Sequence, residues 1–128
     1  MSLCIAAAGL AVEIAVSTFT LAWTHTVEKT EWQEDWRIEG GRLVLVEARV
    51  QGSGAGMEPA AEARLVGVFY TWRPDVPPLR EIVLRRAPEA DDWRLCAGDR
   101  CAPLAEWLGG DTDPVRLGVT DNGGRCEG

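Results

Sequence analysis

The stretch Phe19-Thr20-Leu21-Ala22-Trp23-Thr24-His25-Thr26-Val27 decides the fold, because Phe19, Leu21, Trp23, His25 and Val27 alternate strictly with smaller residues. A period of two sends successive side chains to opposite faces of a β-strand, here one apolar and one small or hydroxylic. Trp32, Glu34, Trp36 and Ile38 fall on one face of a second run, and Gly40-Gly41 turns the chain into a third, Arg42 to Val50. The three runs read as an antiparallel meander.

Outward from this centre, Cys4 to Ala8 and Ala11 to Val16 flank Gly9-Leu10 and predict a first hairpin. Leu65 to Trp72 is a β-branched and aromatic strand ended by Pro74, Pro77 and Pro78, and Glu81 to Arg86 and Asp92 to Cys96 add two short strands. Met57 to Arg64, Ala- and Glu-rich after Pro59, accommodates a helical turn or two. Beyond Leu108 the pattern predicts a loop-like tail from about residue 109, with one short strand at Val115 to Val119. Many short strands and little helix predict a mainly β single domain over residues 1–128, either an antiparallel β-sandwich or a small β-barrel.

Composition narrows the function classes. The 128 residues are 46% hydrophobic and 26% charged, which excludes a disordered chain, and a net charge of −7 argues against nucleic acid as a partner. The apolar run Leu3 to Leu10 follows no Lys or Arg, is soon interrupted by Glu13 and is too short to span a bilayer. Direct membrane insertion is therefore not expected, and a cytoplasmic location is. In that reducing setting Cys4, Cys96, Cys101 and Cys126 read as free, buried thiols. The alternative is a Cys96–Cys101 disulfide, since Ala97-Gly98-Asp99-Arg100 is a turn-like tetrapeptide that can set the two sulfurs opposite each other. With a single His, a zinc set is disfavoured and no metal or cofactor is expected.

Register brings one constellation together. If Val27 pairs with Trp32, His25 stands opposite Glu34 and Trp23 opposite Trp36. The Gly-Gly turn, with Ile38 opposite Leu43, then sets Leu45 beside Trp36 and Glu47 beside Glu34. A row His25, Glu34, Glu47 on an apolar face suits a divalent cation, acid–base chemistry or an amine. The plain reading of a lone His on such a face is a packed core residue, and a two-residue slip would dissolve the row. The glycine run Gly52-Ser53-Gly54-Ala55-Gly56 can form an anion-binding nest for a small organic anion. It lacks the spacing of a dinucleotide or phosphate loop, and a tight bulged connection is its structural reading. Trp23, Trp32 and Trp36 are expected in the core, and Trp72, Trp93 and Trp107 are expected to be partly exposed to a partner. No nucleophile elbow occurs, and no catalytic residue is assigned.

Phe19 to Lys29, Glu34-Asp35-Trp36 and Gly52-Ser-Gly-Ala-Gly-Met57, with Trp93-Arg-Leu-Cys96 and Arg100-Cys101, resemble a bacterial family catalogued as domain of unknown function eighteen-fifty. The family hallmark His-Ser-Val-Glu reads here His25-Thr26-Val27-Glu28, one hydroxyl replacing another. The resemblance implies an accessory to solute uptake, because the family's genes commonly lie beside TRAP-type (TAXI) tripartite transporters. It points to His25, Thr26, Val27, Glu28, Glu34, Gly54, Ala55, Gly56 and Met57 as motif positions. The resulting expectation is a non-enzymatic accessory or ligand-sensing domain whose partners are transporter components or a small organic anion. Its rivals are a small hydrolase or isomerase using His25 as general base, and a purely structural interaction module.

Overall fold

The computed structural model describes residues 1–24, 30–51, 63–87, 90–120 and 126. The described residues form two antiparallel sheets, with 61% of these residues in strand and 5% in helix, as the sequence predicts for a β-sandwich. Neither sheet closes into a barrel among the described residues. The smaller sheet is built from β1 (Ser2–Ala7), β2 (Leu10–Ile14), β8 (Glu81–Leu84) and β11 (Val115–Thr120) in the order β2-β1-β11-β8. The larger runs β10-β9-β3-β4-β5-β7-β6. It comprises β3 (Thr18–Thr24), β4 (Glu31–Glu39), β5 (Arg42–Gln51), β6 (Arg64–Val66), β7 (Phe69–Trp72), β9 (Arg94–Ala97) and β10 (Arg100–Pro103).

Alternation places the core between the two sheets. Leu3, Ile5, Leu84, Val115 and Leu117 come from the smaller sheet, and Phe19, Leu21, Trp36, Ile38, Leu43 and Leu95 from the larger. Each such buried side chain contributes about 1.5–3 kcal/mol. Leu104 and Leu108 of the short helix α1 (Leu104–Leu108) complete the cluster. Among the described residues no helix is long and apolar enough to cross a membrane.

Several expectations are refined. Leu65 to Trp72 is a hairpin rather than one strand, turned at Gly67, whose φ of 64° is a left-handed conformation that glycine adopts without strain. The strand expected inside the tail is integral, since β11 lies between β1 and β8 and buries Val115 and Leu117 completely. Helix α1 had no sequence signal, because its start is held from a distance: Asp92 Oδ2 accepts the Ala105 backbone N–H at 2.9 Å. The cysteines are two disulfides, Cys4–Cys126 and Cys96–Cys101, which overturns the free-thiol expectation. Cys96 and Cys101 face each other directly across β9 and β10, with Cα atoms 4.0 Å apart, as the hairpin alternative requires.

The β3–β4 register differs from the expected one by four residues. Trp32 pairs with Trp23 and not Val27, Trp36 pairs with Phe19 and not Trp23, and Glu34 pairs with Leu21. Aromatic matching accounts for this: the rings of Trp23 and Trp32 stack with centroids 6.0 Å apart, and those of Phe19 and Trp36 at 6.4 Å. The same shift delivers Phe19 and Leu21 to the core. Across the next turn Ile38 meets Leu43 and Trp36 meets Leu45, as expected. The pairing then jumps from Trp36–Leu45 to Asp35–Glu47, leaving Val46 as a one-residue bulge. Glu47 consequently crosses to the outer face, and Ala48, not Glu47, stands beside Glu34.

Candidate functional site: an aromatic row and a buried carboxyl

The core cluster ends at Leu21 and Trp36, but the inner face of the larger sheet continues past them. Parity keeps Trp23 on the face of Leu21, Trp32 on that of Trp36, and Trp72 on that of Ala48, its partner across β5 and β7. Trp93, two residues before Leu95, joins from the chain entering β9. The result is a row of four half-buried indoles, Trp93, Trp23, Trp32 and Trp72. Trp93 lies 4.8 Å from Trp23 at 52°, Trp23 is nearly parallel to Trp32 at 10°, and Trp72 stands edge-on to Trp32 at 83° and 6.2 Å. Trp93 Nε1–H donates to the Arg85 carbonyl at 2.9 Å, which fixes one end. The Trp32 indole N–H is buried without an acceptor among the described residues.

Glu34 sits behind this row. It lies between Trp32 and Trp36 along β4, with Leu21 on one side and the small Ala48 on the other. Burial pushes its carboxyl above the ordinary carboxylate range, opposed by a hydrogen bond that Trp36 Nε1–H donates to Oε1 at 3.3 Å. A carboxyl on an apolar face without a paired cation among the described residues lowers stability, and such costs concentrate where a ligand is handled.

Glu47 has a different environment. On the outer face Arg49 donates to Asp35 Oδ2 at 2.7 Å and Oδ1 at 2.9 Å, to Glu47 Oε2 at 2.6 Å and to Gln33 Oε1 at 3.0 Å. Thr20 donates to Asp35 at 2.8 Å, and Gln33 and Arg94 both bond Glu31. The Arg49 guanidinium holds Asp35 below its ordinary value, while Asp35 raises that of Arg49. These groups satisfy one another, so the network fastens strands instead of offering a site. In a groove of about 640 Å³ beside Trp93, Arg86 is likewise taken up by Asp92 and by the carbonyls of Gly110 and Thr112.

Of the residues expected to form a site, Glu34 and Glu47 are placed on opposite faces, and the position across from Glu34 that was expected for His25 is held by Leu21. Glu34 and Glu47 therefore do not share a row. His25, Thr26, Val27, Glu28, Gly54, Ala55, Gly56 and Met57 lie outside the described residues. The flanking Thr24, Glu31 and Gln51 stand at the end of the sheet that carries Trp23, Trp32 and Val50. The indole row was missed because its members were divided between core and surface. Matching aromatic to aromatic across β3 and β4 would have revealed its central pair, Trp23 and Trp32.

The family described as Domain of unknown function (DUF1850) matches residues 19–104, about two thirds of the chain. The chain belongs to this family. The DUF1850 region starts within β3, ends at the first residue of α1, and holds the larger sheet except for Thr18, together with every member of the indole row and Glu34. β1, β2 and β11 of the smaller sheet lie outside it. No curated protein and no solved structure matches this chain.

Proposed function

We propose that this DUF1850 chain is a non-enzymatic, ligand-sensing accessory domain for TRAP-type solute uptake, with the indole row and Glu34 as the floor of its binding site. The observation carrying this reading is a carboxyl raised by burial on an apolar face that four indoles extend beyond the core. His25, Thr26, Glu28 and the Gly54–Met57 segment are further contributors, because the chain leaves for both connections from residues next to Trp23 and to Val50, the partner of Trp32. The transporter partnership rests on the resemblance to a family whose genes neighbour such systems. Two disulfides favour an oxidising compartment over the cytoplasmic location first expected, which would put the domain on the side where separate solute-binding proteins work.

The test is a thermal-melt screen against organic acids, amino acids, sugars, organic cations and phosphate, because a ligand that binds only the folded state raises the melting point. A dose-dependent rise that Trp32→Phe and Glu34→Gln both diminish supports the site. No rise with any class, and no transporter component recovered with the chain from its native host, would sink the reading.

A further inference from the structure

The composition of the floor narrows what it can hold. Indole faces carry the negative end of the ring quadrupole, so they attract cations, and Glu34 when ionised adds a full negative charge to the same face. On this sheet Arg37, Arg49 and Arg94, the arginines of the outer-face ion pairs, point away from the row. An anion would meet the indole faces and the carboxylate together, which argues against the small organic anion expected from the glycine run. A hard divalent cation needs several oxygen ligands, whereas the described floor supplies one carboxyl among hydrocarbon.

The shape of the row points the same way. Trp32 and Trp72 meet almost at right angles, so their rings form a corner and not a flat platform. Glu34 stands two residues from Trp32 on the same strand and is separated from Trp72 only by Ala48 in the cross-sheet row Leu21, Glu34, Ala48, Trp72. Ala48, a buried residue and the shortest side chain of that row, is all that stands between Glu34 and Trp72. A group with apolar girth and a diffuse positive charge would touch two ring faces and pair with Glu34 at once.

We propose that the corner formed by Trp32 and Trp72 with Glu34 binds a compact alkylammonium cation. This rests on the ligand-binding reading above and names the ligand class for it. Ligand charge would compensate the cost of holding an ionised carboxyl among indoles, which water does only in part at a half-buried position.

The experiment is a titration of the full chain, followed by tryptophan fluorescence, with choline and with its neutral isostere in which carbon replaces the quaternary nitrogen. The expected result is saturable choline binding, with the isostere on the order of tenfold weaker or more, since cation–π and ion-pair attraction are lost together. Glu34→Gln, which preserves size, should weaken choline part of the way towards the isostere, because the cation–π attraction of the indoles remains, and leave the isostere unchanged. Trp72→Leu, at the end of the row, provides a second variant if Glu34→Gln does not fold, and should weaken choline in the same direction. Equal binding of choline and isostere, or choline binding indifferent to both variants, overturns the cation inference. Binding of anions or sugars in place of choline overturns it too, while leaving the ligand-sensing reading intact. Failure of choline together with every class in the melt screen removes both.

Discussion

Glu34 and Asp35 are neighbours in β4 that face opposite sides of the larger sheet, and their carboxyls are displaced in opposite directions. Glu34 is raised by burial, with a Trp36 hydrogen bond pulling the other way, and Asp35 is lowered by Arg49 against a smaller burial effect. One strand thus holds a carboxyl that favours its proton and another that rejects it.

The two should leave opposite marks on acid stability. Because the folded state raises Glu34, its contribution is fully present below its ordinary value of 4.5 and is lost as pH rises through the higher folded value. Glu34→Gln is therefore expected to stabilise the unliganded chain at neutral pH, by on the order of 1 kcal/mol or less given the partial exposure, and to flatten that decline. Urea unfolding of both proteins across the acid range measures it, and a Gln variant less stable at neutral pH would contradict the assignment.

For Asp35 the sign reverses. Its folded value lies below 3.8, so its contribution is present above that value and disappears as pH falls through the folded one. Arg49→Met leaves Asp35 and Glu47 as adjacent like charges and is expected to cost about 1–3 kcal/mol, between exposed and fully buried pairs. In a double-mutant cycle with Asp35→Asn the losses should be clearly non-additive.

The register makes its own prediction. Trp23 and Trp32 are directly paired, so a cycle of Trp23→Leu with Trp32→Leu should show a coupling of about 0.5–1.5 kcal/mol, whereas Trp23 with Trp36 should be close to additive. Strong coupling of Trp23 to Trp36 would restore the register that has His25 opposite Glu34.

The two disulfides should differ in weight. Cys4–Cys126 closes a separation of 122 residues and Cys96–Cys101 one of 5. Loop-entropy arguments give about 4–5 kcal/mol for the first and about 2 kcal/mol for the second. Denaturation of Cys4→Ser/Cys126→Ser beside Cys96→Ser/Cys101→Ser should show that order.

The meander was legible because alternation and the Gly40-Gly41 turn, with φ of 59° and 77°, are local signals. The placement of Glu34 on the inner face followed from the same parity. The pairing across β3 and β4 was not legible, because no tight two-residue turn fixes it and the deciding term is aromatic matching between strands. Nor was the side of Glu47, since the Val46 bulge reverses parity with nothing in Leu45-Val46-Glu47 to announce it. Helix α1 escaped because it is begun by Asp92, a residue distant in sequence.

The place of β11 has a consequence for the order in which the molecule can be made. Among the described residues only β11 joins β1 to β8, so the N-terminal hairpin and β8 share no described sheet until residues 115–120 have left the ribosome. The larger sheet needs nothing after β10 and is free to assemble first. The nascent chain would then carry a complete indole row while Leu3, Ile5 and Leu84 still wait for their cover. Truncation before Val115 should release a species that keeps its tryptophan contacts and aggregates through the unfinished half.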